Sequence, residues 1–413
     1  MVPKGWSIES LGNVTNKVGS GVTPKGGSNS YKSLGVPLIR SQNVLWGRLD
    51  LSDVAYIDDK QHNKMKGSFV YKNDVLLNIT GASIGRVAVS DIDEANVNQH
   101  VCIIRSEELN SEYLKSFLLS FQGQKQIEQC QAGGNRQGLN FEQIKSFKVP
   151  VPPLPEQQKI AKILSTWDKA ISTTERLIEN STQQKKALMQ QLLTGKKRLL
   201  DESGERFEGE WEEGVLGDLV DVTTGYAFKS TEFVENKNNS YSIVRMSDLK
   251  EGSLNLTQSA RVSKSTVIGL ERYKLVEGDF IFGMSGSLDN YATVRSGDLP
   301  CYLNQRVGKI RAKSNSNQDF VSYIYLSDRV RESILSKAAG AAQLNISIGD
   351  LRKTSIRYPN KAEQQKIATV LTNADKEIEL LEQQLADLQQ EKKALMQVLL
   401  TGKVRVRVDG EVA

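Results

Sequence analysis

The chain has 413 residues, 38% hydrophobic and 25% charged, the balance of a soluble globular protein long enough for two or three domains. Its 54 basic and 49 acidic side chains leave a net charge of +5. That is too small for a protein that coats nucleic acid without sequence preference, so any phosphate contacts must be local. No run reaches the ~18 apolar residues of a membrane span, and Met1-Val2-Pro3-Lys4-Gly5-Trp6 lacks the apolar stretch of a signal peptide. A cytoplasmic protein with no membrane partner is expected. Cys102, Cys130 and Cys301 have no Cys-x-x-Cys spacing, which argues for a reducing compartment and buried thiols rather than a disulfide frame.

In chain order, short strand patterns fall at residues 36–40, 74–79 and 101–105. A helix at 111–129 follows, with apolar Tyr113, Leu114, Phe117, Leu118, Phe121 and Ile127. These make a first α+β module over residues 1–155. After Pro150, Pro152, Pro153 and Pro155 a long helix is predicted at 156–196, stopping at Gly195. The spacer segment over 156–200 gives way to an acid-rich, solvated connector at 201–213. A second module over 201–362 repeats the pattern, with strands at 242–245, 279–282 and 307–311 and a helix at 319–337. Pro359 precedes a second long helix at 363–403, stopping at Gly402, and 404–413 is a tail.

The halves are one unit used twice. Residues 156–196 recur at 363–403 without a gap, and more than half of the positions are identical, from Glu156-Gln157-Gln158-Lys159-Ile160-Ala161 to Leu192-Leu193-Thr194-Gly195-Lys196. The modules correspond more thinly: Trp6 with Trp211, Arg40 with Arg245, Asp74 with Asp279, Asn98-Gln99 with Asn304-Gln305, and Arg105 with Arg311.

The second helix carries apolar residues at Ile367, Leu371, Ala374, Ile378, Leu381, Leu385, Leu388, Leu395 and Leu399, in alternating steps of four and three. This is a coiled-coil seam. The first copy has Ile160, Leu164, Trp167, Ile171, Ile178, Leu188 and Leu192, interrupted by Thr174, Ser181 and Lys185; Lys392 interrupts the second at the equivalent of Lys185. About 40 residues at ~1.5 Å each give a rod of roughly 60 Å. The expected fold is therefore α+β modules in tandem with two long helices pairing as an antiparallel coiled coil. The alternatives are that each helix packs on its own module or zips to another protomer.

Catalytic motifs are absent from the sequence. His62 and His100 form no His-x-x-x-His pair, and Thr194-Gly195-Lys196 and Thr401-Gly402-Lys403 lack the upstream glycine of a phosphate loop. The adjacent Pro152-Pro153 precede Leu154, not the aromatic residue of an amino-methyltransferase turn, and Asp221 with Glu235-Asn236-Lys237 matches a nuclease pattern only loosely. No metal site is expected.

What the modules do carry is arginine and amide side chains near turns. In the first these are Lys25, Arg40, Gln42, Asn43, Arg48, Arg86, Asn135, Arg136 and Gln137; in the second, Lys229, Arg245, Arg261, Arg295, Arg306, Gln343 and Asn345. Arginine fits the O6 and N7 acceptors of guanine two at a time, and Asn or Gln fits the edge of adenine. Residues matched between copies, such as Arg40 with Arg245, can equally hold the fold. Asn135, Arg136 and Gln137 have Gly340-Ala341-Ala342 at about their place in the other copy and are the better specificity candidates.

A variable module, then Val149-Pro150-Val151-Pro152-Pro153-Leu154-Pro155-Glu156-Gln157-Gln158-Lys159-Ile160-Ala161, then a long helix ending Leu192-Leu193-Thr194-Gly195-Lys196, all used twice, resembles the specificity (S) subunit of type I restriction-modification systems. Residues 74–85 (DVLLNITGASIG) and 279–286 (DFIFGMSG) resemble that family's Gly-Asp-hydrophobic-Ser-Gly stretch, although Asn73 replaces the first glycine that Gly278 keeps. Gly21-Val22-Thr23-Pro24 resembles its Gly-x-Thr-Pro turn, which the counterpart at Thr224-Gly225 lacks.

The resemblance implies two target recognition domains, each reading one half of a split, asymmetric sequence in double-stranded DNA. It implies helices that set the gap and dock two copies of a modification (methyltransferase) subunit, with a restriction subunit joining through the complex. S-adenosylmethionine, ATP and magnesium would then act on those partner chains, and this chain would be a non-catalytic subunit without a cofactor. The rival readings are a coiled-coil adaptor with two protein-binding modules and a self-sufficient nuclease or methyltransferase.

Overall fold

The computed structural model describes residues 2–131, 138–235, 238–337 and 345–408. The chain divides into two compact units. The first takes Met1–Arg176 and Glu382–Ala413, the second Leu177–Leu381. Each long helix therefore contributes one part of its length to each unit.

In the first unit, strands Lys17–Ser20, Val101–Arg105, Val75–Asn78 and Val87–Val89 form an antiparallel sheet in that order. Ala55–Ile57, Val36–Ile39, Ala95–Val97 and Phe69–Val70 form a second sheet, in which Val36–Ile39 and Ala95–Val97 run parallel. The central strands are apolar without alternation because both faces are covered. Val75, Leu77, Cys102 and Ile104 pack on the helix side, while Leu76, Val101 and Ile103 pack with Ile39 and Val97 on the other. Ser7–Ser10 pairs with Lys148–Val151 and so ties the start of the module to its end.

The second unit repeats this plan. Val220–Thr224, Val307–Ala312, Phe280–Gly283 and Tyr291–Thr293 form the antiparallel sheet. Ala260–Ser263, Ser240–Val244 and Cys301–Leu303 form the other, with one parallel pair, and Glu212–Val215 pairs with Ser355–Tyr358. Matched charged residues brace the two sheets alike. Arg105 donates from Nε and Nη2 to the buried Asp74 at 2.6 Å each, and Arg311 reaches the buried Asp279 from Nη2 at 2.7 Å.

The single helix predicted near the end of each module is two helices. The first pair is Ser111–Leu119 and Phe121–Gln131, the second Gln318–Leu326 and Asp328–Lys337. Ser120 and Ser327 at the breaks are extended, with ψ of 165° and 148°. The Ser120 hydroxyl accepts from the Gly123 N–H at 3.3 Å, a local bond that competes with helix continuation. Continuous apolar periodicity across the break hides it from sequence reading.

The long helices run over Leu154–Leu192 and Lys361–Leu399. Pro155 falls in the first turn, where a missing N–H costs nothing. Gly195 and Gly402, both at φ +71°, end the last turns. Ile160 and Leu164 near the start of the first helix pack with Leu395 and Leu399 near the end of the second, inside the first unit. Leu188 and Leu192 pack with Ile367 and Leu371 inside the second. Start lies beside end in both units, so the helices pair antiparallel.

Candidate nucleic-acid interface

In the first module four loops meet at one turn. A Cβ at Gly21 would lie 1.7 Å from the Val97 carbonyl oxygen, so only glycine lets the 21–24 segment lie against the end of strand Ala95–Val97. The Ile79 N–H donates to the His100 carbonyl at 3.0 Å and the Leu139 N–H to the Ile79 carbonyl at 2.9 Å, bringing Thr80 beside Gly138. On this frame the Thr23 hydroxyl donates to Gln99 Oε1, Gln99 Nε2 donates to His100 Nε2 at 3.0 Å, and Thr80 Oγ1 lies 2.6 Å from His100 Nδ1. With the Gln99 amide in this orientation, the Nδ1–H tautomer satisfies both contacts of the imidazole.

The second module builds the same junction. A Cβ at Gly225 would lie 2.1 Å from the Leu303 carbonyl oxygen. The Gln305 N–H donates to the Tyr226 carbonyl at 3.0 Å and the Met284 N–H to the Arg306 carbonyl at 3.0 Å, and Ser285 bridges Asn345. Arg306 stands where His100 stands in the first module.

The sequence-predicted readers divide into groups. Lys25 and Arg86 lie on loops of the first junction, and Lys229, Arg306 and Asn345 on loops of the second; Lys25, Lys229, Arg306 and Asn345 are exposed and Arg86 is half-buried. Arg40 and Asn43 hold a neighbouring loop together. Arg40 Nη2 donates to the Asp53 carbonyl at 2.8 Å, and buried Asn43 donates to the Asp50 carbonyl at 2.9 Å. Gln42 donates to Asp53 Oδ2 at 2.7 Å, and Arg48 is exposed at the tip of the same loop.

Arg245 repeats the bracing role, its backbone N–H on Asp248 at 2.9 Å and its guanidinium on the Gln258 carbonyl at 3.4 Å. Arg261 spends its guanidinium inside a sheet, on the Ser240 and Ser242 hydroxyls at 2.8 and 2.7 Å. Arg295 pairs with Glu379 at 2.8 Å on the exposed face of the second helix. Asn135, Arg136, Gln137 and Gln343, with Asn236 and Lys237, lie outside the described residues.

Sequence reading did not count Thr23, Thr80 or His100 among the candidate readers, although Thr23 stands in the Gly-x-Thr-Pro turn, Thr80 precedes Gly81 and His100 follows the repeated Asn-Gln pair. His62 is buried, stacked on Phe69 with ring centroids 4.1 Å apart. Among the described residues no group of three or more His, Cys, Asp or Glu gathers to hold a metal, and no helix is long and apolar enough to cross a membrane.

The predicted helix interface residues form a covered stripe. Ile160, Leu164, Leu192, Ile367, Leu371 and Leu399 are buried; Trp167, Ile171, Ile178, Leu188, Ile378, Leu381, Leu385, Leu388 and Leu395 are half-buried. The lysines interrupting the seam meet carboxylates on the facing helix: Lys392 lies 2.5 Å from Asp168, and Lys185 pairs with Asp375, the repeat-equivalent residue. Tyr323 donates to Asp375 at 2.5 Å, and burial followed by that bond raises its hydroxyl above the ordinary phenol range.

The repeated Glu-Gln-Gln has a structural cause as well. Buried Glu363 takes Arg198, and buried Glu156 takes Arg405. Gln157 and Gln364 each cap a carbonyl of the preceding prolines at 2.9 Å.

Beside these seams lie matched grooves. One in the second unit, about 660 Å³, is lined by Lys185, Lys186, Met189, Gln190, Leu326 and Ser327 among others. The first unit has its counterpart, about 380 Å³, with Lys392, Lys393, Met396, Gln397, Leu119 and Ser120.

A family model for the type I restriction modification DNA specificity domain matches residues 3–181 and again residues 208–390. The chain belongs to that family. Membership in the specificity-domain family implies DNA sequence recognition. The MjaVIII specificity subunit of Methanocaldococcus jannaschii is 29% identical over 274 residues, covering 64% of this chain and 64% of that protein, just under two thirds of its length. The putative MjaX specificity subunit of the same organism is 25% identical over 98% of this chain and 95% of its own. The EcoBI specificity subunit of Escherichia coli is 23% identical, with 87% and 77% covered. Among solved structures, the S subunit of a type I restriction-modification system from M. genitalium superposes with a TM-score of 0.61 over 97% of this chain and 96% of that one, at 16% identity. That likeness establishes the shared fold of specificity-domain proteins.

Proposed function

We propose that this chain is the non-catalytic, sequence-reading subunit of a type I restriction-modification assembly in the cytoplasm. The first module, residues 1–155, reads one half of a split duplex target, and the second, residues 201–362, reads the other. The carrying observation is the contrast inside the repeat. The two junctions share a backbone hydrogen-bond plan but present His100 and Arg306 at the same place, whereas the helices keep identical side chains at the grooves, such as Lys185-Lys186 and Lys392-Lys393.

Grooves that share their helix side chains suit two equal partners, and unequal junctions suit a target that is not a palindrome. The helices, with spacer segments over 156–200 and 363–403, set the unread gap and dock two modification subunits, and a restriction subunit joins through them. Methyl transfer from S-adenosylmethionine and magnesium- and ATP-dependent cleavage then occur on those chains. The test exchanges residues 1–150 for the equivalent module of a relative and sequences the methylated sites. One half-site changes; a change in both, or in neither, contradicts the assignment.

A further inference from the structure

We infer that the residue following the Asn-Gln turn decides which base each module demands at one position of its half-site, and that Arg306 makes the second module require a guanine there. The inference rests on the reading proposed above and adds a residue and a base to it.

The turn is the same object in both modules. The Asn98 N–H donates to the Ile39 carbonyl and the Asn304 N–H to the Val244 carbonyl, both at 3.1 Å. The Val101 N–H returns to the Asn98 carbonyl at 3.3 Å and the Val307 N–H to the Asn304 carbonyl at 2.9 Å, and the carbonyl of His100 or Arg306 accepts from the strand alongside at 3.0 Å. These bonds hold the backbone at positions 100 and 306 alike; in addition the His100 N–H donates to Asn98 Oδ1 at 3.0 Å in the first turn and the Gln305 N–H to the Tyr226 carbonyl at 3.0 Å in the second.

In the first module the side chain at this position is consumed locally, because both His100 ring nitrogens face partners on Gln99 and Thr80. Gln99 is in turn occupied by Thr23. In the second module Arg306 is exposed, and among the described residues no hydrogen bond or ion pair engages its guanidinium. Exposed Gln305 precedes it in the chain, and exposed Asn345 pairs with Ser285, next to Met284, whose N–H donates to the Arg306 carbonyl. A backbone held in this way keeps an unengaged guanidinium within reach of a base edge, with amide side chains on the adjoining segments. The planar fork of arginine matches the O6 and N7 acceptors of guanine, while the amides favour a neighbouring adenine.

Lysine keeps the charge but lacks the fork, so Arg306→Lys and Arg306→His together separate base reading from phosphate attraction. The experiment expresses the full chain with its modification partners and maps methylated sites for wild type and both variants. Wild type gives a two-part motif with guanine at one position of the half-site lost when the second module is exchanged. Both variants relax that guanine by about ten- to a hundredfold and leave the other half-site intact, which also reports that the variant chain folds and assembles. If Arg306→Lys keeps the guanine requirement, or both variants lower methylation at all sites equally, Arg306 contacts phosphate and the inference is overturned. A wild-type chain that directs no two-part motif would instead refute the underlying reading.

Discussion

Arg198 closes on Glu363 with two charge-assisted hydrogen bonds, Nε to Oε1 at 2.6 Å and Nη2 to Oε2 at 2.7 Å, and the carboxylate it holds is fully buried. The segment after the first helix is thereby fastened to the start of the second. The bond recurs in the other unit between Arg405 and Glu156. Removing one partner of a buried pair strands a charge, whereas removing both does not. Arg198→Met should lower the stability of the second unit by about 3–5 kcal/mol, and the double change Arg198→Met/Glu363→Gln should recover a substantial part. Urea unfolding of the three proteins measures this. A double variant as unstable as the single one would show that the charge pair is not the cause.

Lys185 and Asp375 test the helix seam. Their side chains are 21% and 42% exposed, so solvent screens the pair and the coupling should be about 0.5–1 kcal/mol in a double-mutant cycle. The pair Lys392 with Asp168 should give a similar value, being its repeat equivalent. A coupling near zero in both would mean that the apolar stripe alone fixes the pairing.

These two pairs also mark how far the sequence was legible. The seam was readable because a stripe covered on one side imposes alternating steps of four and three, and the repeat was readable because Glu156 and Glu363, like Lys185 and Lys392, make equivalent ion pairs. Lys185 read as an interruption because its carboxylate partner lies 190 residues away in sequence (375 − 185). In the modules, Arg40 and Arg261 carry the side-chain chemistry of base readers, yet they brace loops and a sheet. Composition does not distinguish a guanidinium aimed at solvent from one aimed at a carbonyl. The breaks at Ser120 and Ser327 were hidden because an apolar face continues across them.

If the paired helices measure the gap, lengthening both by one turn, about four residues, should widen the unread spacer of the methylated motif and leave both half-sites as they were. Sequencing of methylated sites in cells carrying the lengthened chain provides the readout. An altered half-site would show that the helices shape the reading surfaces as well as separating them.

Burial pushes the Cys102 and Cys301 thiols from 9.0 up to about 12. The neutral thiol is the favoured form in the fold, so this contribution to stability is complete below about pH 9 and is lost as pH rises towards 12. Replacing both cysteines with alanine should flatten the fall of the urea midpoint across that window. At pH 8 neither thiol should react with iodoacetamide until the chain unfolds, while half-buried Cys130 reacts first. Rapid alkylation of Cys102 in the folded protein would contradict the packing of the central sheet.

The central claim is that this chain dictates which DNA sequence its partners modify. Sequencing the methylated sites of cells with and without the chain, partners present in both, tests it directly. The account predicts a two-part, asymmetric motif that vanishes with the chain; an unchanged methylation pattern would contradict it.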